Sequence, residues 1–200
     1  MRPKLKISNL TNLQDARSSA AVGFDLISFS LERGSMKKLS ASMIWNMVNW
    51  LSGPEIVLEM NVVSLEELPE TEKMFQHRYI TLPIAEWSDL VWQHTEAVIL
   101  RGDQFTDPLY IAQLVDEAEK KDKELKIEIT LTELNQLDAY QDVFPHIFLH
   151  LTDFEQLLTL VKSDRSLPGG LSLGEEAEEE PGVLHYERID DFMEALEARE

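Results

Sequence analysis

Apolar and polar residues alternate at the start of the chain. Leu5 and Ile7 sit between Lys4, Lys6 and Ser8, the period-two pattern of a β-strand. The pattern then changes to a helical one. Asp15, Ala16, Ala20, Ala21 and Val22 lead to Gly23, a glycine where a helix C-cap belongs, and Thr11 with Gln14 has the spacing of a capping box. The same switch recurs down the chain. Further strands are predicted over 24–30, 55–61, 78–83, 97–101, 126–131, 145–151 and 170–173. After a turn at 32–35, Ser40 opens a helix with Ile44, Met47, Val48 and Leu51 on its apolar face, stopped by Gly53-Pro54. A short helix follows from Ser64, and 85–94 reads as helical. Asp107-Pro108 starts a helix whose inner face is Ile111, Leu114, Val115 and Ala118, with 119–122 fraying into solvent. Helices are also predicted over 133–140, from Asp153 to Val161, and over 187–198 with Ile189, Phe192, Met193 and Leu196 inward.

Strands alternating with helices imply parallel β-α units. The run 97–101 (AVILR) is apolar almost throughout, as in a strand buried on both faces. Eight units averaging about 25 residues fit a compact (β/α)₈ TIM barrel, a single domain over 1–200. No strand is followed by a Gly-rich dinucleotide or P-loop fingerprint, which weakens an open doubly wound sheet.

Charge then narrows the partners. With 37 acidic residues against 18 basic, the formal net charge is -19. So acidic a chain is expected to bind neither nucleic acid nor an anionic membrane. The absence of cysteine excludes disulfides, thiolate metal sites and thiol nucleophiles, and fits a cytoplasmic protein. No signal peptide and no apolar run long enough for a membrane span are evident. His77, His94, His146, His150 and His185 lack metal-ligand spacing, so neither metal nor cofactor is expected. Arg101-Gly102-Asp103, an adhesion tripeptide in other settings, is read as a chance match behind a buried strand.

The opening Lys6-Ile7-Ser8-Asn9-Leu10-Thr11, running on to Asp15-Ala16, resembles the first β-α unit of phosphoribosylanthranilate isomerase, a (β/α)₈ barrel of tryptophan biosynthesis. That family opens Lys-Ile-Cys-Gly-Leu-Thr. Residues 35–40 look like its Ser-Pro-Arg-Tyr-Val-Ser loop, with Lys37 where the family has a substrate-binding arginine. Glu59-Met60-Asn61 stands for Phe-Val-Asn. Pro181-Gly182-Val183, followed by Glu187, Arg188, Ile189 and Phe192, is similar to the Pro-Gly-Val-Lys-Asp segment and the helix behind it.

The resemblance implies an Amadori rearrangement in which the cysteine is the general base and an aspartate ending strand six the general acid. Here Ser8 takes the base position and Thr130 the acid position. A serine hydroxyl is neutral at pH 7 and a poor proton acceptor without a partner base. The glycine-rich phosphate cradle after strand seven becomes Phe148-Leu149-His150-Leu151, and its Ser-Ser-Gly half becomes Ser172-Leu173-Gly174. Five glutamates, at 175, 176, 178, 179 and 180, follow as a solvated loop that would repel a phosphorylated substrate.

No catalytic residue is assigned. The ligand-binding candidates are Lys37, Glu59, Arg101, Glu128, His150, Ser172 and Gly174, with Asp103 near the same strand ends. Glu128, if inward, needs Arg101 or a lysine as partner. Met43 and Trp50 lie opposite Ile44 and Val48, a candidate surface for a homodimer or protein partner. The leading expectation is a divergent isomerase-like barrel without that activity, binding a small molecule or a partner. The alternatives are an active isomerase, or an enzyme on another small metabolite with a concave pocket and a carboxylate of raised pKa. Leu149, His150 and Leu173 plugging the mouth would count against an enzyme. A scaffold acting through the second helix is the third reading.

Overall fold

The computed structural model describes residues 2–61, 79–93 and 95–199. Eight parallel strands close into a barrel in chain order: β1 (Lys4–Ile7), β2 (Leu26–Ser30), β3 (Glu55–Glu59), β4 (Tyr79–Pro83), β5 (Ala97–Asp103), β6 (Glu124–Leu131), β7 (Ile147–Leu151) and β8 (Gly170–Leu173), with β8 pairing back on β1. The described helices are α1 (Leu13–Val22), α2 (Ala41–Val48), α3 (Pro108–Lys120), α4 (Phe154–Lys162) and α5 (Tyr186–Glu197). The helix expected from Ser64 and residue 78 of the fourth strand lie outside the described residues. No described helix is long and apolar enough to cross a membrane.

Strand alternation divides two interiors. Leu5, Ile7, Ile27, Phe29, Leu58, Ile80, Leu100, Ile127, Leu149 and Leu171 face the helices and join their apolar faces in the main core. Leu26, Val57, Tyr79, Ala97, Ile99 and Phe148 form a second cluster inside the barrel. Phe148 fits only because residue 170 has no side chain: a Cβ on Gly170 would lie 2.4 Å from the ring. Above this apolar layer the inward residues turn polar, with Lys6, Ser28, Glu59 and Glu128 all buried.

Helix punctuation explains most boundaries. Gly23 ends α1 at φ 102°, a conformation cheap only for glycine. The N-cap of α1 is Asn12, which accepts from Asp15 N at 2.8 Å, rather than Thr11; the Thr11 hydroxyl instead donates to Gly182 O at 3.4 Å. Ser40, Asp107 and Asp153 cap α2, α3 and α4 as expected.

Two expected α-helices are 3₁₀ segments. Of the helix expected over 85–94, residue 94 lies outside the described residues; the rest gives two short turns, Ile84–Glu86 and Asp89–Gln93, separated by extended backbone at Trp87. This break lets the Trp87 and Trp92 rings meet edge-on at 5.3 Å. After β6 the segment Leu134–His146 is 3₁₀ as well. Its buried residues Leu137, Tyr140 and Val143 are spaced by three, the repeat of that helix.

The acidic run is not a solvated loop. Glu175–Ala177 forms a 3₁₀ turn, and β9 (Glu178–Glu180) pairs antiparallel with β10 (Val183–Leu184). This hairpin reaches over to α1. Asn12 Nδ2 donates to Gly182 O at 3.1 Å, while Asp15 accepts from Leu184 N at 3.3 Å and from the Tyr186 hydroxyl at 2.5 Å.

Candidate functional site

Lys6 stands at the centre of the polar layer and is 0% exposed. Its Nζ donates to Glu128 Oε2 at 2.7 Å, to Ser8 Oγ at 2.7 Å and to Glu59 Oε1 at 3.0 Å, which uses all three ammonium protons. Glu59 also accepts from Ser28 Oγ at 2.5 Å and lies 3.5 Å from Arg101 Nη1. Arg101 reaches on to Glu32 Oε2 at 2.8 Å. Burial alone would push the Glu59 carboxyl up and the Lys6 ammonium down. The reverse holds for both. Lys6, Arg101 and the Ser28 hydroxyl bring the Glu59 pKa down to about 2, and the two carboxylates raise that of Lys6.

Ser8 is held by two hydrogen-bonding neighbours. Its Oγ accepts from the Lys6 ammonium and lies 3.3 Å from Ser172 Oγ. A lysine held protonated is a donor and removes no proton from a serine. Asn9, where the resembled family has glycine, adopts φ 58°; asparagine is among the few side chains that tolerate this left-handed backbone. Its N–H donates to Ser28 Oγ at 2.7 Å.

A second polar layer stands at the C-terminal ends of the strands. Thr130 Oγ1 is 3.3 Å from His150 Nδ1, and His150 Nε2 is 2.8 Å from Glu176 Oε2. The other oxygen of Glu176 accepts the Gly174 N–H at 2.7 Å. Burial opposes charging of His150, but the Glu176 carboxylate, with Glu128 behind it, outweighs burial and raises the imidazole pKa. Lys37 binds Glu178 at 2.6 Å and Glu175 at 3.5 Å, at the rim.

Between the two layers lies a cavity of about 320 Å³. Ser8, Glu59, Arg101, Glu128, Thr130, His150 and Gly174 all line it, so the structure brings most of the sequence candidates together. Ser172 lies behind Ser8 and Lys37 is engaged at the rim. Asp103 is exposed and turns away, accepting from Phe105 N at 2.9 Å within its own loop. Leu149 and Leu173 belong to the outer core and do not plug the mouth; only His150 of that trio faces it. The carboxylate of raised pKa expected of an enzyme is not Glu59, whose pKa is lowered.

Sequence reasoning missed Lys6 and Glu176. Lys6 answers the requirement that Glu128 have a cationic partner, and its place two residues before Ser8 on one strand was the available signal. Among the described residues, no group of three His, Asp or Glu side chains is arranged to hold a metal ion. Met43, on α2, and Trp50, in the turn that follows it, are exposed at 50% and 70%.

The closed parallel barrel and the cavity at its strand C-termini place the chain among (β/α)₈ barrels. Within that class it is similar over nearly its whole length to solved phosphoribosylanthranilate isomerases. A phosphoribosylanthranilate isomerase solved with reduced 1-(o-carboxyphenylamino)-1-deoxyribulose 5-phosphate superposes with a TM-score of 0.76 at 18% identity, and the Thermotoga maritima enzyme with 0.76 at 17%, each covering 98% of this chain and 99% of that one. The Thermus thermophilus enzyme gives 0.74 at 18%, covering 98% and 100%. TrpF from Jonesia denitrificans gives 0.71 at 15%, covering 98% of each chain. At such identities the likeness is one of fold. No family model matches the chain, and no curated protein matches it.

Proposed function

We propose that this chain is a phosphoribosylanthranilate isomerase-like barrel that does not carry out the isomerase reaction and works as a binding protein. The observation that carries this reading is the Glu176 carboxylate, which accepts the Gly174 N–H behind β8 and pairs with His150. In the resembled family that loop cradles the substrate phosphate; here an anion of the chain itself stands there. The base position supports the same conclusion, because Ser8 Oγ already accepts from the Lys6 ammonium and a serine hydroxyl is a poor base. The direct test is complementation of a tryptophan auxotroph lacking the isomerase. No growth is expected, and growth would overturn the reading.

The cavity favours a second reading, an enzyme acting on a non-phosphorylated metabolite. Glu176, His150 and Thr130 form a carboxylate–imidazole–hydroxyl run along its wall. Turnover of a small ester by the wild-type protein, lost in both Thr130→Ala and His150→Gln, would support it. If the binding partner is a protein, α2 is the candidate surface, since residues 39–54 carry no charge in a chain of net charge -19. A strict monomer on size exclusion, unchanged by Trp50→Ala, would remove that surface from consideration.

A further inference from the structure

The loop that joins β5 to α3 is locked, yet it holds a phenyl ring out in solvent. Asp103 N donates to Thr106 Oγ1 at 3.0 Å, Thr106 N donates to Asp103 O at 3.0 Å, and Phe105 N donates to Asp103 Oδ1 at 2.9 Å. Residue 102 leaves no slack, since a Cβ there would lie 2.6 Å from Thr106 Oγ1. Further ties run to the segment after β6. Gln104 Oε1 accepts from Thr132 Oγ1 and from Gln136 Nε2, both at 2.8 Å, and the Tyr140 hydroxyl donates to Thr106 O at 3.1 Å. With its polar groups so engaged, the loop presents Phe105 at 84% exposure. Leu109, at the start of α3, is 73% exposed, and Tyr110 beside it is exposed too.

Single exposed apolar side chains are ordinary. Three large ones at one junction, on backbone already ordered, suit an anchor site, because a partner meets them without the entropic cost of fixing the loop. Charge selects the partner. Asp103 and Asp107 flank the patch, and Glu117 lies two turns along from Tyr110 on the exposed side of α3. Asp103 and Asp107 each give Oδ1 to a backbone N–H, and among the described residues no cation pairs with either. The Tyr140 phenol registers the local field: burial raises its pKa, and Asp103 and Asp107 raise it further. A second copy docked through the same patch would set these carboxylates against their own images. Nucleic acid and anionic membranes would be repelled in the same way.

We propose that the β5–α3 junction docks a basic segment of another protein, with an apolar anchor on Phe105 and Leu109 and flanking lysines or arginines against Asp103 and Asp107. This goes beyond the reading of the barrel mouth and does not depend on it. The uncharged α2 face is a different surface and offers such a segment no counter-charge. The anchor sets how long the partner stays, and the carboxylates set its encounter rate and salt dependence. Asp103 stands two residues beyond Arg101 on β5, so the docked segment lies at the rim of the cavity that Arg101 lines.

The test uses the full chain and three synthetic helical peptides of one length, carrying leucine and lysine, leucine and glutamate, or serine and lysine at the same positions. Binding is followed through the backbone amide resonances of residues 102–117 by NMR. The leucine–lysine peptide is expected to bind about tenfold or more tightly than either of the others, with shifts centred on 103–110. Phe105→Ser and Leu109→Ser, made separately, are each expected to weaken it about tenfold. Asp103→Asn combined with Asp107→Asn, which keeps the capping oxygens, is expected to weaken it and flatten its salt dependence. Absence of binding overturns the proposal. So does equal binding of the serine–lysine peptide, or an affinity that neither apolar variant changes, since the attraction would then be the general negative charge of the chain. Equal binding of the leucine–glutamate peptide overturns it as well. Self-association, or binding to phosphatidylcholine vesicles, that Phe105→Ser abolishes would overturn it by giving the face to a second copy or a membrane. Loss of the folded spectrum in both apolar variants would make these side chains packing elements, with the same result. Growth on complementation bears on the isomerase reading alone.

Discussion

Lys6 Nζ and Glu128 Oε2 stand 2.7 Å apart inside the barrel, the lysine wholly cut off from solvent. Glu59 completes the cluster on the lysine's other side, and Arg101 supplies a second positive charge beside Glu59. Two cations and two carboxylates thus neutralise one another in a layer that most barrels fill with apolar side chains.

Lys6→Met should destabilise the fold by about 3–5 kcal/mol, because it strands buried carboxylates without their cation. Adding Glu128→Gln should recover much of the loss. Urea unfolding of the two variants checks this, and a Lys6→Met protein as stable as wild type would show that the layer is not an ionic network.

Acid should weaken the protein through Glu59. Its pKa falls from an ordinary 4.5 to about 2 on folding, so the folded state binds the proton less readily than the unfolded chain. The stabilisation is present above about pH 4.5 and is lost as pH falls through the range down to about 2. Its size is about 3 kcal/mol. Denaturant midpoints measured across that range should fall more steeply for wild type than for Glu59→Gln. Parallel curves would refute the assignment.

Gly170→Ala should be costly, since its Cβ would lie 2.4 Å from two atoms of the Phe148 ring. Overpacking of this kind costs about 1–3 kcal/mol. Phe148→Leu made together with Gly170→Ala should restore part of the loss in thermal melts, which a simple backbone effect at residue 170 would not allow.

The framework was legible because punctuation and period agreed. Asp107-Pro108 and the spacing of Ile111, Leu114, Val115 and Ala118 defined α3, and β8 was read at its observed bounds. The segment after β6 was misread because three-residue spacing at Leu137, Tyr140 and Val143 looks much like helical spacing over a short window. At the site, seven of the candidates do line one cavity. The polar layer itself stayed hidden for a physical reason. A lysine between Leu5 and Ile7 has the pattern of a solvent-facing strand position, whereas a closed parallel barrel buries both faces. Glu176 was masked by its neighbours, since nothing in a run of glutamates marks which one turns inward.

The hairpin after β8 gives the ring a clasp. Through Gly182 and Leu184, with Tyr186 at the start of α5, it buckles the last stave to the first helix at Asn12 and Asp15. Prising β1 from β8 therefore means undoing side-chain fastenings as well as a ladder of backbone bonds. The joint that completes the circle is braced twice, from within the sheet and from outside it.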